Sequence, residues 1–263
     1  MKIKFYKYQG AGNDFILIDN RENVANELTV HQVNKMCERH FGIGADGLML
    51  LNNKNGFDFE MVYFNADGNI GSLCGNGSRC IVQFASMLGI KKSEYLFLAS
   101  DGPHIAKIDL NNKISLKMND IKNVEFSLDH YTLDTGSPHY VKSVSKIEGF
   151  NVVEEGRKIR NRKEFGEKGI NVNFVQTLDD DHIFVRTYER GVENETLSCG
   201  TGVTASALMA AHNDNGFNHV DVKTLGGNLS VEYDKISDTE YKNIWLSGPA
   251  TFVFSGDIEL TGN

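Results

Sequence analysis

Two Cys-Gly-x-Gly units, one in each half of this 263-residue chain, constrain its fold more than any other feature. The first begins at Cys74 and the second at Cys199, and each opens an apolar stretch. The stretches CIVQFASMLGI and VTASALMAA are apolar nearly all round, whereas a helix on a protein surface is apolar along one stripe. We therefore expect the same buried helix, headed by a cysteine, to occur twice.

Strand-like patterns surround both predicted helices. In the first half, residues 2–9 alternate between apolar and polar, and the runs at 15–18 and 48–51 are typical of buried strands. In the second half, two strand-like runs meet at residues 179–181, and a hairpin crosses residues 226–228. The order strands, helix, strands thus repeats, which predicts an α+β fold. We expect two pseudo-symmetric domains, each a curved, mostly antiparallel sheet or barrel around its central helix.

A further helix is predicted ahead of the run at 48–51. Thr29 and Gln32 have the spacing of a capping box, and Gly42 lies just past the expected end. Its apolar face would hold Val30, Val33 and Cys37.

The switch between the two halves falls near residues 118–124, where no Pro- or Ser-rich linker is present. We expect an N-terminal half over residues 1–118, completed by a C-terminal strand at about 251–263, and a C-terminal half over residues 119–250. The active site is expected in the cleft between these halves.

Composition argues against several classes of function. The net charge of −8 offers no basic face for phosphates, so nucleic-acid binding is not expected. No apolar run approaches the roughly 20 residues of a membrane-spanning helix, and the N-terminus lacks the apolar core of a signal peptide. These features predict a cytoplasmic protein with no membrane partner.

Cysteine and histidine usage points to thiols without a metal. Four cysteines are too few for a disulfide scaffold, and the eight histidines lack the spacing of a zinc site. Cys37 and Cys80 have no neighbouring glycines of the Cys-Gly-x-Gly kind, so we expect both to be core thiols. Only Cys74 and Cys199 then remain as candidates for chemistry.

The chemistry of a thiol at a helix start accounts for the two units. Unpaired N–H groups and the positive end of the helix dipole both lower a thiol pKa from about 8.5. The N–H groups of Gly75, Asn76, Gly200 and Thr201 can grip one substrate carboxylate. A thiolate on one side of the α-carbon would remove its proton while a thiol on the other side delivers one. Such a pair inverts a stereocentre without a cofactor.

An ordered set of motifs along nearly the whole chain carries a family resemblance. The motifs are GAGNDF, FGIGADGL, FNADG, CGNGSRC, GSPH, INVNF, YERGVENETLSCGTG and GPA. In this set the chain resembles the diaminopimelate epimerases, PLP-independent enzymes that interconvert LL- and meso-diaminopimelate on the bacterial path to lysine and the cell wall. The resemblance implies a small-molecule substrate, no cofactor and, as in many members, a homodimer.

By position, the resemblance also implies residue roles. Cys74 and Cys199 would be the acid/base pair, and His139 and Glu189 would tune their acidity. Arg190 suits a distal carboxylate, because a guanidinium forks onto two oxygens. The residues expected to bind substrate are Asn13, Asn65, Gly75, Asn76, Ser137, Asn171, Glu189, Arg190, Gly200 and Thr201.

Two positions depart from the family pattern. Some members have Gln where this chain has Gly47, and Asn where it has Ser137. Ser137 keeps a hydroxyl that can bond the substrate, whereas Gly47 offers no side chain. We expect any loss of substrate contacts at these two positions to leave the cysteine pair untouched.

Three other functions are open at this point. A proline or hydroxyproline racemase would share the two-cysteine chemistry but would leave Arg190 and the asparagines without partners. A thiol switch would pair Cys74 with Cys199 reversibly on oxidation. A non-catalytic amino acid binding protein would need no thiol, so a Cys199→Ser variant should bind normally.

Overall fold

The structure, a computed structural model, describes residues 2–71, 74–210 and 214–260. In these residues the helices are α1 (Val30–Cys37), α2 (Gly75–Met87), α3 (Val152–Arg160) and α4 (Gly200–Ala210), with a short 3-10 helix at Lys163–Phe165. None of the helices in this described part is long and apolar enough to cross a membrane. The chain divides into two compact units, Met1–Leu116 with Pro249–Asn263 and Lys117–Gly248.

The first unit contains a mixed sheet with α1 and α2. Its strands are β1 (Lys2–Gly10), β2 (Asn13–Asp19), β3 (Gly47–Asn52), β4 (Phe59–Asn65), β5 (Glu94–Ala99), β6 (Gly102–Ile108), β7 (Ile114–Lys117) and β17 (Thr251–Glu259). They pair in the order β17, β1, β2, β3, β4, β5, β6, β7. Only the pairs that a helix connects, β2 with β3 and β4 with β5, are parallel. A parallel pair needs such a crossover, whereas a hairpin joins an antiparallel pair.

The second unit contains a similar sheet with α3 and α4. Its strands are β8 (Val124–Phe126), β9 (Tyr131–Asp134), β10 (Pro138–Ser143), β11 (Asn171–Thr177), β12 (His182–Glu189), β13 (Asn194–Thr196), β14 (Gly216–Thr224), β15 (Gly227–Ser237) and β16 (Glu240–Gly248). They pair in the order β8, β9, β10, β11, β12, β14, β15, β16, and β13 pairs with β12. The parallel pairs are again the helix-connected ones, β10 with β11 and β12 with β14.

The two units therefore repeat one connectivity. The order β1, β2, α1, β3, β4, α2, β5, β6, β7 corresponds to β9, β10, α3, β11, β12, α4, β14, β15, β16. The predicted α+β class with two repeated, mostly antiparallel domains is confirmed. In this repeat, α2 corresponds to α4. The two Cys-Gly-x-Gly motifs therefore occupy equivalent places in the two halves of the chain.

Both cysteine-headed helices are buried nearly all round, as their composition predicts. Along α2 the residues from Asn76 to Val82 are buried, as are Phe84 and Ala85. Along α4 every residue from Gly200 to Leu208 is buried except Thr201, which is half-buried. Helix α2 lies against β1, β2, β3 and β6, and α4 lies against strands from β9 to β16. Each helix is thus held by the sheet of its own unit.

Helix α1 begins as predicted. Thr29 is its N-cap, and both hydrogen bonds of a capping box with Gln32 are present. The predicted apolar face is right for Val33 and Cys37, which are buried, but wrong for Val30, which is 53% exposed. Val30 stands at the first helical position, where the side chain points away from the core.

The predicted end of α1 near Gly42 is wrong, because the helix stops at Cys37. The returning chain takes over its last carbonyls: the Ile43 and Gly44 amides donate to the Met36 carbonyl at 2.9 and 3.0 Å. A Cβ at residue 42 would collide with carbonyls of α1. A glycine is therefore needed at residue 42 because the chain passes too close to the helix for a side chain. Gly42 is not the C-cap of α1, which is Glu38.

Candidate active site

Cys74 is the N-cap residue of α2, with an extended backbone and a half-buried side chain. The helix's own hydrogen-bond ladder begins where the Ser78 amide donates to the Cys74 carbonyl at 2.7 Å. The amides that precede Ser78 lie outside this ladder and point out of the helix start. The thiol therefore stands beside a group of N–H donors, an arrangement that suits an anion.

Asn76 ties this helix start to the edge of the first unit's sheet. Its Nδ2 donates to Asn13 Oδ1 at 2.5 Å, and Asn13 Nδ2 donates to Asp46 Oδ2 at 3.0 Å. Asn76 is buried, and Asn13 begins β2. Two of the predicted substrate-binding residues, Asn13 and Asn76, thus contact each other directly.

Ion pairs anchor the far end of this chain of amides. Arg39 bridges Asp14 and Asp46 with N–O distances of 2.7 Å to each, and Lys7 reaches Asp14 at 2.7 Å. Burial raises the pKa of Asp14, but hydrogen bonds from Arg39 and Lys7 outweigh it and hold the pKa at about 2. The Asn13 neighbourhood is therefore held by a cluster of ion pairs around the carboxylate of Asp14.

Arg79 is a fully buried cation on the first turns of α2. Its Nη2 donates to Asn76 Oδ1 at 2.7 Å, and it reaches the carbonyls of Gly75 and Pro249 at 3.4 Å. Among the described residues, no carboxylate lies within ion-pair distance of it. Burial lowers the pKa of Arg79, while the sulfurs of Cys80 and Cys74 act in the opposite direction. A buried guanidinium held by neutral oxygens leaves its positive charge to act on the start of α2.

Asn65 ends β4 at the same edge of the sheet. The register places Gly47 beside both Phe15 and Asn65, so the starts of β2 and β3 and the end of β4 lie together. The structure also gives a reason for Gly47: a Cβ there would collide with the ring of Tyr63. Tyr63 occupies the space that a longer side chain at position 47 would need.

Cys199 immediately precedes α4 and is 8% exposed. Its Sγ lies 3.5 Å from Thr201 Oγ1, and Thr201 Oγ1 lies 2.9 Å from His139 Nε2. The ladder of α4 begins where the Val203 amide donates to the Cys199 carbonyl at 2.8 Å. This thiol also stands at a helix start, but a hydroxyl and an imidazole follow it in line.

His139 is fully buried under α4. Burial lowers its pKa to about 3, and the positive charge of Arg190 adds to the effect. Its Nδ1 lies 3.0 Å from Asn173 Nδ2. The imidazole is therefore neutral at physiological pH, and it acts on its neighbours through hydrogen bonds.

Ser137, Asn171 and Arg190 form one hydrogen-bonded cluster at the ends of β10, β11 and β12. Asn171 Nδ2 and Arg190 Nη2 both donate to Ser137 Oγ, at 2.9 and 3.2 Å. Asn171 Oδ1 accepts from the Arg190 amide at 3.0 Å. Ser137 thus holds two other predicted substrate-binding residues through its hydroxyl oxygen.

Glu189 ends β12 beside this cluster, and its Oε2 accepts from Thr196 Oγ1 at 3.0 Å. Gly200 opens α4, where its carbonyl accepts from Thr204 Oγ1 at 3.0 Å. Thr201 is also held at its carbonyl by Thr135 Oγ1, at 2.8 Å. The residues predicted around Cys199 are therefore neighbours within the second unit.

The other two cysteines are core thiols, as predicted. Cys37 is 3% exposed and Cys80 is fully buried. Burial raises the pKa of Cys37 to about 11 and that of Cys80 to about 12, so both stay protonated. Within the described part of the chain, no group of three or more His, Cys, Asp or Glu side chains is placed to hold a metal ion.

Comparison with known proteins decides the family. The family model for diaminopimelate epimerase matches residues 5–124 and 131–253. This chain belongs to the diaminopimelate epimerase family. The diaminopimelate epimerase of Flavobacterium psychrophilum is 46% identical over 97% of this chain and 100% of its own length. That of Chlorobaculum tepidum is 41% identical over 95% of this chain and 99% of its own.

A solved structure of another protein supports the fold. The crystal structure of a phenazine biosynthesis protein of the PhzF family from Bacillus anthracis covers 99% of this chain and 100% of its own, with a TM-score of 0.75. At 15% sequence identity this similarity concerns the fold alone.

Membership in the diaminopimelate epimerase family makes the chain an isomerase and confirms the resemblance inferred from its motifs. Of the functions that the sequence left open, the family selects the epimerase. Two residues of this site were missed in the sequence. Arg79 lies inside CGNGSRC, and Asn173 alternates with Asn171 inside INVNF; a polar residue in an otherwise buried stretch was the available signal.

Proposed function

We propose that this protein converts LL-2,6-diaminopimelate into the meso isomer by proton transfer between two cysteines at one α-carbon, without a cofactor. One observation carries the proposal. Each half of a repeated fold presents a cysteine at the start of a buried helix, with polar side chains of its own unit beside the thiol. The family supplies the reaction, and these two helix starts supply the groups that perform it.

In the proposed cycle one sulfur is a thiolate and the other a thiol. The thiolate takes the α-proton and becomes a thiol, while the thiol on the opposite face delivers its proton and becomes a thiolate. The carbanion that forms between these steps shares its charge with the adjacent carboxylate. The N–H groups of Gly75, Asn76, Gly200 and Thr201 would stabilise that charge. No electrons are gained or lost, and the two cysteines exchange protonation states in each turnover.

The distal end of the substrate needs its own recognition, because diaminopimelate has an amino acid group at each end. We assign its carboxylate to Arg190. The guanidinium of Arg190 already donates to the Ser137 hydroxyl, and its backbone amide donates to the side-chain oxygen of Asn171. Its ammonium would be received by Glu189 and by the amide oxygens of Asn13 and Asn65. A proline-sized substrate has no second carboxylate, so Arg190 would be left without an anionic partner.

Location and assembly follow from the same proposal. A step of lysine biosynthesis needs no export, so we propose the cytoplasm as the site of action. We also propose a homodimer, which size measurement by light scattering would test directly.

The decisive experiment follows LL-diaminopimelate by NMR in D₂O with purified protein free of pyridoxal phosphate. Deuterium should enter one α-carbon while the meso isomer accumulates. Exchange with proline or hydroxyproline and none with diaminopimelate would contradict the proposal and favour the racemase. No exchange with any of these substrates would contradict every two-thiol isomerase, and oxidation of the cysteine pair would be the next reaction to examine.

A further inference from the structure

A line of hydrogen bonds runs from the second cysteine into the core of its own unit. Cys199 Sγ is 3.5 Å from Thr201 Oγ1, which is 2.9 Å from His139 Nε2. On the other side of the ring, His139 Nδ1 is 3.0 Å from Asn173 Nδ2. Asn173 Oδ1 accepts from Thr187 Oγ1 at 2.9 Å. His139, Asn173 and Thr187 are all buried.

The orientation of Asn173 is determined by a backbone carbonyl. The atom of its amide that faces the Tyr140 carbonyl, at 3.1 Å, must be the nitrogen, because a carbonyl oxygen only accepts. The same nitrogen faces His139 Nδ1. Nδ1 therefore accepts, and the proton of the neutral imidazole is on Nε2.

The proton on Nε2 determines what Thr201 does. His139 Nε2–H donates to Thr201 Oγ1, so the hydroxyl's own hydrogen is directed to another acceptor. The Cys199 sulfur, 3.5 Å from this oxygen, is placed to accept it. A hydrogen bond donated to a sulfur favours its charged form over its neutral form.

We propose that Asn173 and Thr187 are positioning residues that hold His139 as the neutral Nε2–H tautomer, so that Thr201 donates to Cys199 and stabilises its thiolate. The proposal rests on the proposed acid/base role of Cys199. It adds two residues that touch neither substrate nor sulfur. It also assigns His139 the role of a hydrogen-bond donor, in place of a positive charge beside the thiolate.

The surroundings support a neutral ring. Burial, the largest cause, and the charge of Arg190 both lower the pKa of His139, and they outweigh the contact with Asn173, which acts in the opposite direction. Arg190, just after β12, is the ionisable group whose charge acts on the ring; Glu189, which precedes it in sequence, and Cys199 at the start of α4 are the other ionisable groups at these element ends. Of these, the residue that opposes an imidazolium is the cation, Arg190.

Gly202 shows that the fold makes room for this line of contacts. A Cβ at position 202 would collide with Asn173 Oδ1 and lie 3.3 Å from His139 Cε1. The second glycine of the Cys-Gly-x-Gly unit thus lets α4 approach the strands closely enough for His139 and Thr201 to meet. Asn171 and Asn173 lie two residues apart on β11, so both side-chain amides lie on the same face of the strand.

The test compares Asn173→Asp, Thr187→Val and Thr187→Ser in the full-length protein. A carboxylate at 173 accepts from His139, so the ring proton moves to Nδ1 and Thr201 then donates to Nε2 instead of the sulfur. The acidic limb of the pH dependence of kcat/KM for epimerisation should move up by about one pH unit, the effect of one lost hydrogen bond to a thiolate. Thr187→Val should move the acidic limb in the same direction by less. Thr187→Ser keeps the hydroxyl that donates to Asn173 and should leave the acidic limb at its wild-type position.

Thr224→Val is the matched control, since Thr224 is a buried threonine whose hydroxyl donates to the Gly227 carbonyl at a hairpin. It should leave the pH profile unchanged. An acidic limb that Asn173→Asp does not move, in a folded variant, would overturn the proposal.

The tautomer has its own readout, which needs no variant. Nitrogen-15 NMR of the imidazole in the wild-type protein at pH 7 should show a protonated Nε2 and a bare Nδ1 for His139. A protonated Nδ1 or an imidazolium there contradicts the proposal even where every variant fails to fold. Failure of the proposed function looks different: the wild-type protein would not exchange the α-proton of LL-diaminopimelate, whatever the tautomer.

Discussion

The two cysteine helices begin with the same four-residue pattern but meet different surroundings. At the start of α2, the residue after Gly75 belongs to an amide network: Asn76 donates to Asn13 and accepts from the buried cation Arg79. At the start of α4, Thr201 contacts both the sulfur and the neutral ring of His139. A repeated scaffold thus supplies two thiols in equivalent places, and the neighbours of each thiol make their electrostatics unequal.

The second glycine of each unit shows the same contrast. A Cβ at Gly77 would collide with the end of Met49, whereas a Cβ at Gly202 would collide with Asn173. The glycine serves close packing of helix on sheet in both cases. The side chain that packs against this glycine is apolar in the first unit and polar in the second. The same glycine position therefore supports two different environments.

The strongest test of the comparison removes each thiol. Cys74→Ala and Cys199→Ala should each lower the rate of epimerisation by about 10³-fold, since each removes one general acid or base. The rate is measured by NMR as formation of the meso isomer. Cys37→Ala is the control, because Cys37 lies in the core, and it should lower the melting temperature without this loss. A Cys199→Ala variant that keeps a tenth of the activity would contradict the two-thiol mechanism.

Next in size is removal of the buried cation of the first unit. Arg79→Met takes away the positive charge and the donor to Asn76, so we expect kcat/KM to fall by about 10- to 100-fold, the loss of one or two charge-assisted hydrogen bonds. Arg79→Lys keeps the charge without the forked geometry and should lie between. Arg21→Met removes an arginine paired with Asp19 on the same unit and serves as control. Equal kcat/KM for wild type and Arg79→Met would remove the proposed contrast between the helices.

A smaller effect is expected at the substrate cluster of the second unit. Ser137→Ala removes the acceptor of both Asn171 and Arg190, so KM for diaminopimelate should rise by about 5- to 10-fold, with kcat nearly unchanged. Compared with Ser137→Ala, Ser137→Asn keeps an acceptor oxygen and should recover part of the affinity. A fall in kcat with unchanged KM would place Ser137 with the acid/base groups instead.

The smallest effect concerns stability in acid. The pKa of His139 is lowered from 6.5 to about 3, so the unfolded chain binds a proton below pH 6.5 that the folded chain does not. The free energy of unfolding should therefore decrease as the pH falls from about 6.5 toward 3. Asp14 in the first unit, with its pKa lowered from 3.8 to about 2, loses its contribution only below about pH 4. Mild acid should thus weaken the second unit first.

Urea unfolding of the wild type and His139→Gln at pH 7 and pH 5 measures this difference. The wild type should lose more stability over that interval than the variant. His182→Gln is the control, because His182 is exposed and its pKa is raised by Asp179, so solvent screens its small effect of opposite sign. Equal losses in wild type and His139→Gln would show that His139 is not buried neutral.

The structural features that depend on short-range sequence patterns were predicted correctly. The capping box at Thr29, the burial of both cysteine helices and the repeat of strands and helices all follow from periodicity and local spacing. The end of α1 was predicted wrongly. The carbonyl of Met36, in the last turn, accepts hydrogen bonds from the amides of Ile43 and Gly44, where the chain folds back over the helix. Local signals cannot show such a contact before the fold exists.

The candidate site divides in the same way. The two cysteines were correctly predicted to lie at helix starts, because glycines and apolar residues beside them in sequence mark such a start. Asn173 and the reason for Gly47 were not predicted, since each depends on a partner far along the chain: His139 for Asn173 and Tyr63 for Gly47. Arg79 was not predicted either, because its full burial depends on the sheet around α2, although its closest partner, Asn76, is three residues away.

By itself the sequence determined that this protein has two equivalent helix starts, each with a thiol, because helix burial and glycine spacing act over a few residues. Only the tertiary structure decided that the helix after one thiol carries a buried guanidinium in its first turns, and that Thr201 links the other thiol to a neutral imidazole. The physical reason is that charge state and tautomer depend on burial and on the acceptors and donors that the folded chain brings within about 3 Å.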